Sequence, residues 1–485
     1  MIADLAGRLR DEARRANERR LLVLAGEREA CYTAAVNALD GAGIRESETT
    51  VVATESALGA DFRDCEHVTP KRANTLLGTT RTAVVLDCHD ECRPNALGRT
   101  VGAVDGGGLV VLCTPSLDAW PARRDDFDET LAVPPFDGKA VGGRFRTRLV
   151  ETLYAHPGIA IVDVDSGAVE RDGLTDPPAA EEQRSPAPPD NHAFPQAAYD
   201  ACLTADQANV LQTLERLREP GQALVVEADR GRGKSSAAGL AAGALAAEGK
   251  DVLVTAPSYR SAAAVFVRAH ELLTSLDALA GTDRDENPQR LDTPDGGRVV
   301  FAEPAAAVDG DALATVDVAI VDEAAALPVD RLSAFLDAPA VAFVTTVHGY
   351  EGAGRGFAVR FRDRLAESAF DVTEQRLDDP IRYAAGDPVE VWLFRALLLD
   401  ARPPVAPVVA KATPETVTHE RLAADELLAD ETRLREAFGL LVAAHYRTEP
   451  NDLARLLDAP NVTVHALCHD GHVVSVCLLY TSLMA

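Results

Sequence analysis

The stretch "ALVVEADRGRGKSSAAGL", Ala223 to Leu240, decides the fold. An apolar run enters a polar loop broken by glycines, and an alanine-rich helical run leaves it. This is the pattern strand, loop, helix. Ala228-x-x-Gly231-x-Gly233-Lys234-Ser235 fits the phosphate-binding loop G-x-x-x-x-G-K-[ST], with alanine in the first glycine position. Such a loop and the helix it opens aim backbone N–H groups at a phosphate. Asp229, Arg230, Gly231, Arg232, Gly233, Lys234, Ser235 and Ser236 are therefore candidate nucleotide-binding residues. Lys234 would reach the β- and γ-phosphates, and Ser235 would hold Mg²⁺. The competing reading is a glycine-rich turn between a strand and a helix.

A second motif strengthens the first. "VDVAIVDEAAALP", Val316 to Pro328, is an apolar strand ending in Asp322-Glu323, about ninety residues after the lysine. Asp322 would serve Mg²⁺, and Glu323 would orient or deprotonate an attacking water. Ligands in parallel sheets gather at the carboxyl ends of the strands, where both motifs sit. Lys234, Asp322 and Glu323 are thus the expected catalytic set for ATP hydrolysis, with Ser235 and Asp322 the metal ligands. In "LTADQANVL" (Leu203–Leu211), Gln207 is either an adenine-reading amide or an exposed helix glutamine. "DVLVTAPS" (Asp251–Ser258) is a further strand ending in a polar loop. "VTTVHGYEGAGRGF" (Val344–Phe357) runs from a strand into a glycine-rich loop with His348, Tyr350, Glu351 and Arg355. That loop could sense hydrolysis, or be a tight turn with a satisfied histidine. The alanine-for-glycine change points towards helicase-like motors. A motor needs two such lobes, and only one is legible.

Composition sets the setting. Among 485 residues, 76 are acidic and 48 basic, a formal net charge of −28. Only five of the basic residues are lysines, against 43 arginines. Many carboxylates, scarce lysine and abundant alanine suggest adaptation to high internal salt, where surface repulsion is screened. An ordinary acidic protein from a GC-rich genome is the other reading. Acidity argues mildly against a nucleic-acid partner, yet salt itself shifts recognition from phosphate contacts to stacking and base contacts. "DCHDEC" carries Cys88, His89 and Cys92 with no second pair nearby, so zinc is not expected. Reduced thiols, a charged N-terminus and no membrane-length apolar run suggest a soluble, cytoplasmic protein.

The chain reads as α/β. Residues 1–165 alternate helices with strands at "RRLLVLAG", "TAVVLDC" and "GLVVLCTP". "DGGGL" (Asp105–Leu109) reads as a glycine turn into the last of these. Residues 166–198, rich in Pro and acid, read as a linker, and 199–400 as a RecA-like P-loop domain with a parallel sheet. Residues 401–485 offer helices at 430–447 and 450–460, then a strand pair turned at "HDGH".

Several segments carry a likeness. "ADRGRGKSSAAGL", "VDEAAALP", "TTVHGYEGAGRGF" and "DDPIRYAAGDPVEVWLFRALLLD" (Asp378–Asp400) resemble the tRNA(Met) cytidine acetyltransferase (TmcA) family, in order and spacing. "LLGTTRTAVVLDC" and "DGGGLVVLCTPSLDAW" look like that family's N-terminal domain. "LLVAAHYRTEPNDLARLLDAPN" (Leu440–Asn461) looks like the entry to its Gcn5-related acetyltransferase domain. The resemblance implies an enzyme forming N4-acetylcytidine, typically at the wobble cytidine of elongator tRNA(Met). It implies acetyl-CoA as donor and coupled hydrolysis of ATP (or GTP). tRNA is the implied partner, with other RNAs as further candidates and no membrane. Nucleotide contacts at Gln207, the Asp229–Ser236 loop and Arg382 are implied as well.

One departure matters. The family's acetyl-CoA loop has the form [RQ]-x-x-G-x-[GA], and neither Gly439 nor Gly471 fits it. The expectation is a fragment that stops within the acetyltransferase domain, competent for ATP but not for acetyl transfer, with a poorly stable apolar sheet edge at its end. Two other readings are a RecA-like helicase or translocase, and an RNA-binding adaptor with a relict P-loop.

Overall fold

The strand Arg20–Ala25 (β1) is buried along its whole length, as a strand covered on both faces must be. It lies inside a seven-stranded sheet, between β5 and β6, with Thr49–Val52 (β2), Glu66–Val68 (β3), Arg81–Asp87 (β4), Val104–Thr114 (β5), Ile159–Asp163 (β6) and Ala168–Arg171 (β7). The order is β3-β2-β4-β5-β1-β6-β7, and only the β6–β7 pair is antiparallel. The structure, a computed structural model, describes all residues except 58–61, 77, 181–185, 310–312, 347–360, 445–447 and 482–485.

Two sequence expectations change here. The glycines of "DGGGL" lie inside β5 and not before it. Gly107, at φ 73°, gives its N–H to the Glu18 carbonyl at 2.7 Å, and the β4–β5 register shifts between Arg81 and Ala83. The positive φ places an irregularity in the strand where a turn was expected. Part of the expected linker is also structured. Residues 168–171 form β7, and the Glu12 carboxylate accepts the N–H groups of Thr175 and Asp176 at 3.1 and 2.9 Å.

A second sheet holds Gln222–Ala228 (β8), Asp251–Thr255 (β9), Gly281–Thr282 (β10), Arg290–Asp292 (β11), Arg298–Phe301 (β12), Val318–Val321 (β13), Ala340–Thr346 (β14) and Asp371–Leu377 (β15). Its order is β10-β11-β12-β9-β13-β14-β8-β15. From β12 to β15 every pair is parallel. The helix Lys234–Ala247 packs on it through alanines, which let it lie close to the helix Tyr259–Ser275. Added Cβ atoms at Gly239 and Gly243 would stand 2.4 and 3.1 Å from carbonyls of that neighbour.

The third sheet is small and antiparallel: Thr418–Leu422 (β16), Val462–His469 (β17) and His472–Tyr480 (β18), in that order. Asp470 (φ 48°) and Gly471 (φ 85°) make the turn at "HDGH". Leu479 and Tyr480 are exposed on its edge strand. The helices Glu431–Ala444 and Pro450–Asp458 match the two expected ones.

The described residues form two compact units. One comprises those of Met1–Ala180 and Tyr383–Ala485, the other those of Glu181–Gly349 and Ala353–Arg382. Residues 383–400, placed with the P-loop segment by the sequence reading, therefore belong with the first unit. Local chemistry explains why. Trp392 is fully buried there and gives its indole N–H to Thr152 at 3.2 Å. Asp387 caps the helix Pro388–Leu397 and pairs with buried Arg19 at 2.9 Å. The C-terminal helices share this core through Phe438, Leu453 and Leu457. The Asp458 carboxylate accepts the N–H groups of Arg144 and Phe145, at 2.8 and 3.0 Å, at the start of the helix Arg144–Ala155.

Candidate nucleotide-binding site

The P-loop joins β8 to the helix Lys234–Ala247 through two left-handed glycines. Gly231 has φ 78° and Gly233 has φ 85°. A Cβ on Gly233 would stand 2.0 Å from Gln207 Nε2, so this glycine is required by contact as well as by conformation. In the sheet, β14 lies between β8 and β13. The residues following β13 therefore face the P-loop across the carboxyl end of β14.

Three named side chains meet there. Lys234 Nζ donates to Glu323 Oε1 at 2.8 Å, and Thr346 Oγ1, at the end of β14, donates to Glu323 Oε2 at 3.0 Å. Asp322 is fully buried. Its Oδ1 accepts the Glu323 N–H at 2.9 Å, its own N–H goes to the Thr255 carbonyl at 2.8 Å, and the nearby Ser235 side chain favours the charged carboxylate. Glu323 itself holds φ 48°, a conformation that few non-glycine residues adopt.

The charges are unevenly compensated. Burial pushes Asp322 up to about 6, and the Glu323 charge adds to this against Lys234 and Ser235. Burial also opposes the charge on Glu323. Lys234, Arg230 and Thr346 outweigh it and hold Glu323 below the ordinary carboxylate range. Asp322 Oδ2 is buried with no hydrogen-bond partner among the described residues. A buried carboxylate oxygen left bare beside a serine hydroxyl fits a divalent cation, which takes carboxylate and hydroxyl oxygens and completes its shell with phosphates and water. Ser235 and Asp322 are the residues that would hold it.

The other candidates fall around this core. Gln207 is fully buried: its Oε1 accepts the Leu203 N–H at 2.7 Å and its Nε2 donates to the Gly233 carbonyl at 3.2 Å. Here it braces the P-loop. The Ser236 hydroxyl accepts from Arg268 Nε at 3.0 Å, which ties the first helical turn to the neighbouring helix. Arg382 follows Ile381, whose N–H donates to the Gly231 carbonyl at 3.0 Å, so its backbone adjoins the loop. Arg232 is buried, while Asp229, Arg230 and Gly231 are half-buried. His348, Tyr350, Glu351 and Arg355 lie outside the described residues. The sequence reading passed over Thr346 and Arg268. Thr346 stood within the quoted "VTTVHGYEGAGRGF", but only the strand order shows that it reaches Glu323. Among the described residues no group of three or more His, Cys, Asp or Glu is disposed to hold a metal, and no helix is long and apolar enough to cross a membrane.

Comparison with known proteins adds the family. The profile described as RNA cytidine acetyltransferase NAT10/TcmA, helicase domain, matches residues 225–400. That of the tRNA(Met) cytidine acetyltransferase TmcA N-terminal region matches residues 1–164. The tRNA(Met) cytidine acetyltransferase TmcA of Haloarcula marismortui is 62% identical over 479 residues, which is 98% of this chain and 60% of that protein. Its counterpart from Haloferax volcanii is 62% identical over 480 residues, 99% of this chain and 62% of that protein. The one from Pyrococcus abyssi is 36% identical over 420 residues, covering 84% and 51%. The chain spans about three fifths of the length of the two haloarchaeal relatives. With its N-terminal and helicase-like regions both matched, the chain belongs to the tRNA(Met) cytidine acetyltransferase TmcA family.

Proposed function

We propose that the P-loop site binds and hydrolyses ATP or GTP, and that this hydrolysis serves the formation of N4-acetylcytidine in tRNA. The observation that carries the reading is the convergence of Lys234, Ser235, Asp322 and Glu323 at the carboxyl ends of parallel strands. In the site, backbone N–H groups of the loop and the helix N-terminus receive the phosphates. Lys234 exchanges its bond to Glu323 for the β- and γ-phosphate oxygens. Glu323, freed on that side, takes a proton from the water that attacks the γ-phosphorus. The new P–O bond forms as the bond to the β-phosphate oxygen breaks, and the proton passes to solvent. Mg²⁺ held by Ser235 and Asp322 would neutralise phosphate charge. Arg382 is a further candidate for charge on the γ-phosphate.

The acetylation is proposed on the family match. The exocyclic amine of cytidine attacks the thioester carbonyl of acetyl-CoA, the C–S bond breaks, and the amine loses a proton. We assign residues 401–485 to the acetyltransferase portion on the order of their helices and strands. We place the protein in the cytoplasm of a salt-adapted cell. The support is the net charge of −28 and the identity shared with Haloarcula and Haloferax proteins. The experiment is release of phosphate from ATP in multimolar KCl, with and without Mg²⁺ and tRNA, by this chain and by its Lys234→Ala variant. Mg²⁺-dependent turnover that Lys234→Ala abolishes supports the reading.

A further inference from the structure

Glu323 is held at two points. Lys234 grips Oε1 at 2.8 Å and Thr346 grips Oε2 at 3.0 Å. The two donors have different futures when a nucleotide arrives. A P-loop lysine is drawn to the β- and γ-phosphates, which carry more charge than one carboxylate. Thr346 is uncharged and is not drawn by phosphate charge as the lysine is. It is the last residue of β14, in register with Ala228 of β8, where the P-loop begins. It is almost fully buried, and a β-branched side chain has few rotamers to wander through. The backbone of Glu323, at φ 48°, fixes the other end of the carboxylate side chain in a conformation that few non-glycine residues adopt.

We infer that Thr346 is the positioning residue for Glu323: its hydroxyl fixes the carboxylate that acts on the attacking water after Lys234 has left for the phosphates. This rests on the reading of the site as a nucleoside triphosphatase. The side-chain hydrogen bond of Thr346 goes to Glu323, and Thr346 acts through that carboxylate. Its removal therefore lowers the rate of the chemical step and leaves nucleotide binding in place.

The test compares Thr346→Val, Thr346→Ser, Glu323→Gln and the unaltered chain. Phosphate release gives kcat, and titration with a fluorescent ATP analogue gives affinity. Valine keeps the shape and deletes the donor. The expected result is a kcat lower by about 10- to 100-fold in Thr346→Val, since a small misplacement of a catalytic group costs on this order. Nucleotide affinity should stay within about threefold, and Thr346→Ser should return kcat to near the unaltered value. Should the valine variant not fold, Thr346→Ala removes the same hydroxyl and carries the same comparison. Unchanged kcat in Thr346→Val overturns the inference. So does a rate loss matched by an equal loss of affinity, or one that serine does not repair. The triphosphatase reading stands in those cases if Glu323→Gln is inactive. Absence of turnover by the unaltered chain overturns that reading and this inference together.

Discussion

Lys234 Nζ lies 2.8 Å from Glu323 Oε1, so the P-loop lysine and the carboxylate beyond β13 hold one another. The pair is mostly buried, with side-chain exposures of 10% and 22%. Breaking it from either side has different consequences. Lys234→Ala removes the phosphate partner and should abolish measurable nucleotide binding. Glu323→Gln leaves the phosphate partners in place. It should bind nucleotide with little change and lose roughly 10²- to 10³-fold in kcat, as expected for loss of a general base. Titration with a fluorescent ATP analogue beside phosphate release separates the two.

The two P-loop glycines should not be equivalent. A Cβ on Gly233 meets Gln207 Nε2 at 2.0 Å, whereas one on Gly231 meets nothing within 4 Å. Both positions have positive φ, so either alanine costs about 1 kcal/mol in backbone strain. Gly233→Ala adds a clash with a fully buried side chain and should lose nucleotide affinity by at least tenfold more than Gly231→Ala. Equal losses in the two variants would refute the brace assigned to Gln207.

The first unit carries its own buried ion pair. Arg19 donates to Asp387 through Nη2 at 2.9 Å, with side-chain exposures of 1% and 0%, and the Tyr383 ring covers the guanidinium at 3.7 Å. Asp387→Ala strands a buried guanidinium and uncaps the helix Pro388–Leu397. It should cost this unit about 3–5 kcal/mol. Both tryptophans of the chain, Trp120 and Trp392, are buried in this unit, so their fluorescence during denaturant unfolding reports on it alone. A midpoint unchanged by Asp387→Ala would contradict the assignment.

Acid should weaken the same unit through Glu431. Burial opposes its charge, but Arg148, whose Nη2 reaches Oε1 at 2.9 Å, and Arg435 outweigh this and hold it below the ordinary glutamate range. A carboxylate depressed in the folded state contributes fully above its unfolded pKa and less as pH falls through the folded one. Tryptophan-monitored stability should therefore drop on acidification below the glutamate range. Glu431→Gln should flatten that part of the profile.

The legible part of this protein was the part written in short motifs. "ADRGRGKSS" and "VDEAAALP" name a loop and a strand end by local chemistry, and the sheet brings them together as such motifs require. Thr346 was not legible, because its role depends on β14 lying between β8 and β13, a relation no local window contains. Gln207 carried an amide suited to an adenine, yet its amide is bonded to Leu203 and Gly233 within the fold. The boundary expected at residue 400 from the Pro-rich punctuation is also where the helicase-domain match ends. The packing follows Trp392 and the Arg19–Asp387 pair, whose partner positions lie far apart in the chain.

Turnover of nucleotide at this P-loop is the proposal on which the others depend. The most direct measurement is phosphate release from ATP by the purified 485-residue chain in multimolar KCl with Mg²⁺, set against Lys234→Ala. Turnover should need Mg²⁺, rise with tRNA and disappear in the variant. No turnover by the unaltered chain, or equal turnover in both, would contradict the proposal.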